Sequence, residues 1–166
     1  MKARRIQFKG TFEHHHEAAA AVRNPGDAAL VHRGVARNVV LSCPDGCGNL
    51  LTINLDPRSG PAWRRFGPDG ALTLFPSVWR ESGCRAHFIV WRGQVDWLDG
   101  STWAPSAELQ TRVLNVLDSE RLTAFSAIAD RLGEIPWDVA AACRALVSQG
   151  RATEGMGQRR GWFRRR

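Results

Sequence analysis

The pattern of hydrophobic and polar positions changes at about residue 100. Before it, short apolar runs and alternating stretches of four to six residues predict β-strands. The predicted strands are residues 29–31, 38–42, 50–55, 63–66, 72–75, 87–91 and 94–98. The Gly67-Pro68-Asp69-Gly70 stretch predicts a turn, and Arg92-Gly93 predicts a tight hairpin. Trp63, Trp79, Trp91 and Trp97 all lie in this part of the chain, where bulky residues are needed to give a small sheet a hydrophobic layer.

The first 26 residues form a segment of mixed character. Ile6 and Phe8 alternate with basic residues, which is typical of an edge strand. Residues 14–16 are three consecutive histidines. Because three adjacent side chains cannot all face one ion, we interpret them as a loop or as the start of a helix over residues 17–22.

After residue 105 the apolar positions follow a helical period. Ser106 is predicted to cap a first helix and Thr123 a second helix closed by Gly133, while Pro136 opens a third that ends at Gly150. Two short strands follow, at 152–154 and 161–164. Three helices followed by a small hairpin resemble the winged-helix superfamily over residues 106–166.

Four residues have the spacing of a metal site. Cys43 and Cys47 form a Cys-x3-Cys pair, and Cys84 and His87 form a Cys-x2-His pair. Three thiolates and one imidazole are a ligand set typical of a closed tetrahedral zinc site. Pro44, Gly46 and Gly48 favour the tight turn that the first pair needs. We therefore predict a Zn²⁺ ion bound by Cys43, Cys47, Cys84 and His87.

Together these patterns predict an α+β chain in which a small zinc-stapled β-rich domain is followed by a winged-helix-like domain. The predicted boundaries are 1–26 for an N-terminal segment, 27–100 for the zinc-binding domain and 105–166 for the winged-helix-like domain with a basic tail. Cys143 lies apart from the other three cysteines. Since this cysteine usage differs from a disulfide scaffold, and neither a signal segment nor a membrane span is apparent, we predict a cytoplasmic protein.

The positive charge is concentrated at the C-terminus. The net charge is +7, and residues 151–166 hold six arginines against one glutamate. Such a basic tail attracts phosphates, which predicts non-specific nucleic-acid binding. The third helix is expected to expose Trp137, Asp138 and Ala141, a set poorly suited to reading base edges.

Three stretches of the β-rich part resemble a bacterial domain-of-unknown-function family. They are the 43–48 stretch Cys-Pro-Asp-Gly-Cys-Gly, the 74–78 stretch Leu-Phe-Pro-Ser-Val, and the 83–88 stretch Gly-Cys-Arg-Ala-His-Phe with Gly-Gln-Val at 93–95. That family is encoded beside ubiquitin-like proteins and E1- and E2-like enzymes in Bub-type operons, and it is associated with peptidase activity. Asp45 stands where many members have a cysteine, and we interpret it as a turn residue.

The resemblance implies a peptidase that processes or removes a ubiquitin-like modifier, with phage defence as its setting. It makes Ser77 the candidate nucleophile and His87 either its base or the fourth zinc ligand. If His87 is the base, zinc keeps three cysteines and recruits Asp45, His32 or water. If His87 is the ligand, His32 is the substitute base.

Two other interpretations remain open at this point. In one, a metal with an open position activates water and Ser77 only caps a turn. In the other, from a different functional class, the chain is a non-enzymatic zinc-stabilised module whose basic winged helix docks nucleic acid or protein.

Overall fold

The structure, a computed structural model, describes residues 2–97 and 104–166. The chain divides into two units, Met1–Ser101 and Thr102–Arg166. The mixed α+β class predicted from the sequence is confirmed. Residues 98–103, which include the end of the predicted strand at 94–98, lie outside the described residues.

A four-stranded sheet and one short helix begin the first unit. Its elements are β1 (Gln7–Phe12), α1 (His15–Ala21), β2 (Asp27–Arg33), β3 (Val35–Ser42) and β4 (Leu50–Asn54). The strand order is β1-β2-β3-β4, with β1 parallel to β2 and the other pairs antiparallel. The prediction of an edge strand near residues 6–8 is thus confirmed, and the histidine run lies at the start of α1.

Five further strands complete this unit. They are β5 (Arg64–Phe66), β6 (Thr73–Phe75), β7 (Val78–Trp79), β8 (His87–Trp91) and β9 (Gln94–Asp96). β5 pairs with β6, and β7, β8 and β9 form an antiparallel sheet in that order. The predicted hairpin is confirmed, since Arg92 and Gly93 join β8 to β9 with φ of 50° and 73°. Two consecutive positive φ values are typical of the type I′ turn, which suits the twist of a hairpin.

The hydrophobic core of the first unit lies on both faces of the four-stranded sheet. On one face, Ala29, Val31 and Val40 pack with Ala18 and Val22 of the α1 region. On the other face, buried side chains of β2, β3 and β4 join those of the later strands, namely Leu72, Leu74, Val78, Phe88, Val90 and Val95. β7 and β8 are therefore anchored by Val78 and Phe88, whose neighbours along each strand point the other way.

The second unit contains three helices and a small sheet. Its elements are α2 (Ala107–Val116), β10 (Thr123–Ala124), α3 (Phe125–Leu132), α4 (Pro136–Ser148), β11 (Ala152–Glu154) and β12 (Trp162–Arg165). Ser106 Oγ accepts a hydrogen bond from the Leu109 amide at 3.1 Å, as its predicted capping role requires. Pro136 opens α4, and Gly133 ends α3 in the left-handed conformation, as predicted.

Two expectations for this unit are wrong. Thr123 does not cap α3, because it lies in β10 and Ala124 precedes the helix. Asp138 is 2% exposed and so presents no charge on the surface of α4. The predicted strand at 161–164 is confirmed as β12, which is the central strand of the sheet β10-β12-β11 and whose Phe163 is buried in the core. The winged-helix assignment itself stays a prediction.

Within residues 2–97 and 104–166, none of the helices combines the length and the apolar character needed to cross a bilayer.

Candidate functional site

Ser77 lies between two short strands on the surface of the first unit. β6 ends at Phe75, a cis peptide bond joins Phe75 to Pro76, and β7 begins at Val78. Trp63 Nε1 donates a hydrogen bond to the Ser77 carbonyl oxygen at 3.3 Å. Since Val78 is buried, the side chains on either side of it, Ser77 and Trp79, are on the outward face.

His87 is the first residue of β8 and faces outward beside Ser77. Its Nε2 lies 3.0 Å from Ser77 Oγ. The pairing register sets His87 opposite Trp79, and the two rings are 6.0 Å apart between centroids. In the tautomer with a proton on Nδ1, the Nε2 atom accepts a hydrogen bond from the serine hydroxyl. The arrangement is that of a nucleophile with an adjacent base.

The turn after β3 carries two of the predicted metal ligands. Cys43 follows β3 directly, and its amide donates to the Asn49 carbonyl oxygen at 2.9 Å. Gly46 and Gly48 have φ of 85° and 79°, so the turn needs glycine at both positions, as the sequence indicated. The tight loop turns Cys43 and Cys47 toward the same point.

Cys43, Cys47 and Cys84 form a cluster in which the three sulfur atoms all lie within 4.8 Å of one another. The Cys43 and Cys84 sulfurs are 3.7 Å apart. Arg80 Nη1 lies 3.3 Å from Cys47 Sγ and 3.2 Å from Cys84 Sγ. Three convergent thiols in a tight knuckle suit a thiophilic metal ion, and the guanidinium is placed to offset the excess negative charge of three thiolates.

The three thiols have different proton affinities. Burial raises the pKa of Cys43 to about 11, and the neighbouring sulfurs add to the increase. Hydrogen bonds from Asn49 lower the pKa of the exposed Cys47 to about 6. A metal ion must therefore displace a proton from Cys43, whereas Cys47 readily supplies a thiolate.

The structure brings together three of the four predicted metal ligands. In the described part of the chain, the cysteine cluster includes none of His87, His32 and Asp45. His87 is hydrogen-bonded to Ser77 instead, His32 lies exposed in β2, and Asp45 forms an ion pair with Lys2 at 3.4 Å. The position of His87 is that of the alternative in which it pairs with Ser77, whereas Asp45 and His32, which that alternative offered as further ligands, lie outside the cluster. The assignment of metal ligands stays a prediction.

A single short connection links the cysteine cluster to the Ser77–His87 pair. β7 and β8 are adjacent antiparallel strands, and the segment between them runs from Arg80 to Ala86. Arg80 and Cys84 both lie in this segment, three residues from Ser77 and His87 respectively. The Arg80 amide donates to the Ala86 carbonyl oxygen at 2.9 Å. The segment that carries Arg80 and Cys84 thus joins β7, which directly follows Ser77, to β8, which begins with His87.

Sequence reasoning missed Arg80, Asn49 and the distinct position of Trp79. Arg80 and Asn49 contact sulfur atoms from positions that no ligand spacing identifies. Most of the four tryptophans in the β-rich part were expected in its hydrophobic layer. Trp91 is buried and Trp63 and Trp97 pack against the core, whereas Trp79 is 64% exposed. The alternation around buried Val78 was the signal that could have found it.

The sequence model of one protein family matches residues 13–98, about half of the chain. That family is described as "Bacterial ubiquitination-like system serine protease (BubE)". The matched range contains Ser77, His87 and all three clustered cysteines. No curated protein and no solved structure shows significant similarity to the chain.

Proposed function

This chain belongs to the family of bacterial ubiquitination-like system serine proteases (BubE), and we propose that it is the serine-type peptidase that processes or removes the ubiquitin-like modifier of such a system. The observation that carries the proposal is the 3.0 Å approach of His87 Nε2 to Ser77 Oγ on an exposed face of the first unit. A half-buried serine paired with an exposed imidazole is suited to nucleophilic catalysis.

The chemistry assigned to the pair is acyl transfer. Ser77 Oγ attacks the carbonyl carbon of the scissile bond while His87 Nε2 takes the hydroxyl proton. The C–N bond breaks, the amine leaves with the proton held by His87, and the acyl group remains on Ser77. Water then attacks the ester with His87 again as base, which releases the carboxylate product and restores the serine.

The cysteine cluster has a structural role in this proposal. Cys43, Cys47 and Cys84 would hold a Zn²⁺ ion, with Arg80 beside two of the sulfurs. Thiolate-rich zinc sites are usually structural, and their binding energy contributes to folding. Cys43 and Cys47 lie in the turn after β3 and Cys84 lies in the connection from β7 to β8, so a bound ion would cross-link these two segments and help to keep Ser77 beside His87.

The substrate is a ubiquitin-like protein or its conjugates. The family description associates these proteases with a ubiquitination-like system. The exposed Ser77–His87 pair suits an extended chain terminus or a conjugated side chain, both of which project from a folded modifier. The protein acts in the cytoplasm, where such conjugation takes place.

The test is cleavage of the ubiquitin-like precursor encoded beside this gene, followed by mass spectrometry. The wild-type protein is expected to release a single C-terminal fragment, and Ser77→Ala is expected to lower the rate by about three orders of magnitude or more. A fluorophosphonate, which reacts with activated serines, should label Ser77 in the wild type only. Cleavage that persists in Ser77→Ala but stops with a chelator would assign the chemistry to metal-activated water instead.

A second function is proposed for the second unit alone. Three helices and the sheet β10-β12-β11 have the order of a winged helix, and Arg164, Arg165 and Arg166 are exposed at its C-terminal strand. We infer a winged-helix docking module whose basic edge contacts phosphates of nucleic acid without sequence readout, or an acidic protein. Electrophoretic mobility shifts with unrelated DNA and RNA sequences test it, and a preference for one operator would contradict it.

A further inference from the structure

We propose that Trp79 is the substrate-positioning residue of this protease, and that the peptide segment flanking the scissile bond pairs as an added strand with the open edge of β7 at Trp79. The inference rests on the proposed function, because it assigns the substrate-docking element for the Ser77–His87 pair. Its occupant is an extended, unfolded stretch of the substrate chain.

The first observation is the direction of the Trp79 backbone groups. In the β7–β8 pair, Val78 lies opposite Phe88 and Trp79 opposite His87. Continuing this register sets Arg80 opposite Ala86, and the Arg80 amide donates to the Ala86 carbonyl oxygen at 2.9 Å. Bonded and non-bonded pairs alternate in antiparallel strands, so Trp79 belongs to a non-bonded pair. Its amide and carbonyl therefore point away from β8.

The second observation is that β7 is an edge strand. Among the described strands, β7 has β8 as its one neighbour in the sheet. An edge strand with outward-pointing amide and carbonyl groups is a template for an extended peptide. Pairing at Trp79 places the substrate backbone within one strand spacing of β7, about 4.8 Å.

The third observation is the position of the indole. Trp79 follows the buried Val78 and is therefore on the outward face, where it is 64% exposed and lies beside the imidazole of His87. An exposed indole does not contribute the hydrophobic free energy that it would contribute if it were buried in the core. The indole forms one wall next to the reacting pair, against which an apolar part of the substrate packs.

These observations fit one substrate geometry. Ser77 lies two residues before Trp79 on the same outward face, which corresponds to about 6–7 Å along a strand. A substrate strand that pairs with Trp79 thus brings a peptide bond about two residues further along to Ser77 Oγ. Substrate recognition then depends on backbone hydrogen bonds and on the indole more than on a deep side-chain pocket.

The experiment compares Trp79→Ala, Trp79→Phe and wild type on a ten-residue fluorogenic peptide spanning the cleavage site mapped on the precursor. Trp79→Ala is expected to lower kcat/KM about tenfold or more, mainly through KM, and Trp79→Phe to retain most of the activity. Leu50→Ala is the matched control, because Leu50 is an exposed apolar residue on the edge strand β4 of the same unit. Its kcat/KM should equal that of wild type.

Backbone pairing is tested with the wild-type enzyme, so that folding of a variant cannot decide the result. A series of peptides, each N-methylated at one amide, should show one methylated position near the cleavage site that lowers kcat/KM about tenfold, the effect of losing a hydrogen bond and blocking the edge. Uniform cleavage across the series, or an unchanged KM in Trp79→Ala, would overturn the docking proposal.

Fluorophosphonate labelling separates this proposal from the proposed function. The probe requires an activated Ser77 but no peptide strand, so labelling in Trp79→Ala should match wild type within about twofold. Absence of labelling in the wild type would reject the serine-protease function itself. Labelling with unaltered peptide kinetics in Trp79→Ala would reject only the docking at β7.

Discussion

His87 Nε2 and Ser77 Oγ are 3.0 Å apart, although His87 begins β8, Ser77 directly precedes β7, and the two residues are ten positions apart in the chain. The buried residues Val78 and Phe88 lie opposite each other in the β7–β8 pair and fix the register that creates this contact. The core of the first unit thus sets the geometry of the candidate site on its surface.

Replacing His87 separates its two predicted roles. We expect His87→Ala to lower the rate of precursor cleavage by about three orders of magnitude while the metal content remains that of wild type, because His87 lies outside the cysteine cluster. Plasma emission spectrometry and cleavage kinetics on the same preparation make the measurement. Loss of metal together with the fold would show that His87 is a ligand, as the Cys-x2-His spacing alone predicts.

The cysteine cluster should hold about one zinc ion per chain. We expect Cys43→Ser and Cys84→Ser to lose the metal and to lower the Tm of the first unit by about 10 °C or more, since a loss of about 2 kcal/mol has this effect in a unit of its size. Cys143→Ser is the control, because Cys143 is buried in the core of the second unit. Freshly purified protein without metal would contradict the prediction.

Most strands and their approximate limits could be predicted from the sequence because apolar residues alternate in them. The hairpin at Arg92-Gly93, the caps at Ser106 and Gly133, and the opening of α4 at Pro136 each follow from one residue with a specific backbone preference. The capping role given to Thr123 failed because β10 pairs with β12, a contact between residues distant in the chain. Such pairing overrides a local capping preference.

The candidate site was only partly accessible to sequence reasoning. Ligand spacing predicted Cys43, Cys47, Cys84 and His87 as one set, and the structure brings the three cysteines together while His87 lies beside Ser77. Spacing along the chain cannot show which way the His87 side chain turns once Phe88 is fixed in the core. Asp138 was expected on the surface of α4, yet it is buried. A helical pattern gives the relative positions of residues on the helix, but not which further surfaces of the helix other elements of the unit cover.

Arg80 is expected to tune the metal site without binding the metal. Arg80→Ala should retain zinc but weaken its affinity about 10- to 100-fold, the usual effect of removing a residue that contacts metal ligands. The zinc affinity of Arg80→Lys should lie between that of wild type and that of Arg80→Ala. Lysine keeps the positive charge but lacks the planar guanidinium that contacts Cys47 and Cys84 together. Competition with a chromophoric chelator measures the affinity, and equal affinities in all three proteins would contradict this role.

Asp27 should make the stability of the first unit dependent on pH. Burial by itself would raise the pKa of this carboxyl, but hydrogen bonds from the Asn24 and Arg23 amides and the ion pair with Lys9 at 3.0 Å outweigh it and lower the pKa. Because the folded pKa lies below the unfolded value, the stabilisation is present above about pH 4 and is lost as the pH falls through the folded pKa.

Asp27→Asn tests this dependence. We expect it to lower the free energy of unfolding by about 1–2 kcal/mol at neutral pH, where a charged acceptor is replaced by a neutral one. The difference in unfolding free energy between Asp27→Asn and wild type should become smaller as the pH falls below about 4, where the wild-type carboxyl becomes protonated in the unfolded chain. Urea denaturation at a series of pH values makes the comparison, and a difference independent of pH would exclude the ionised carboxylate as the cause.

The C-terminal arginines can be tested only by substitution, because deletion would remove part of the core. Removing residues 159–166 takes away β12 and the buried Phe163, and Phe163→Ala alone should cost about 3–5 kcal/mol of unfolding free energy.

Arg164→Ala combined with Arg166→Ala changes exposed positions and should leave the fold intact. This double variant should bind nucleic acid more weakly on every sequence tested and should reduce the slope of log K against log salt concentration by about 1–2. Mobility shifts at several salt concentrations measure the slope. A double variant with the affinity and slope of wild type would show that the basic edge of the second unit does not contact phosphates, and that its positive charge serves another partner.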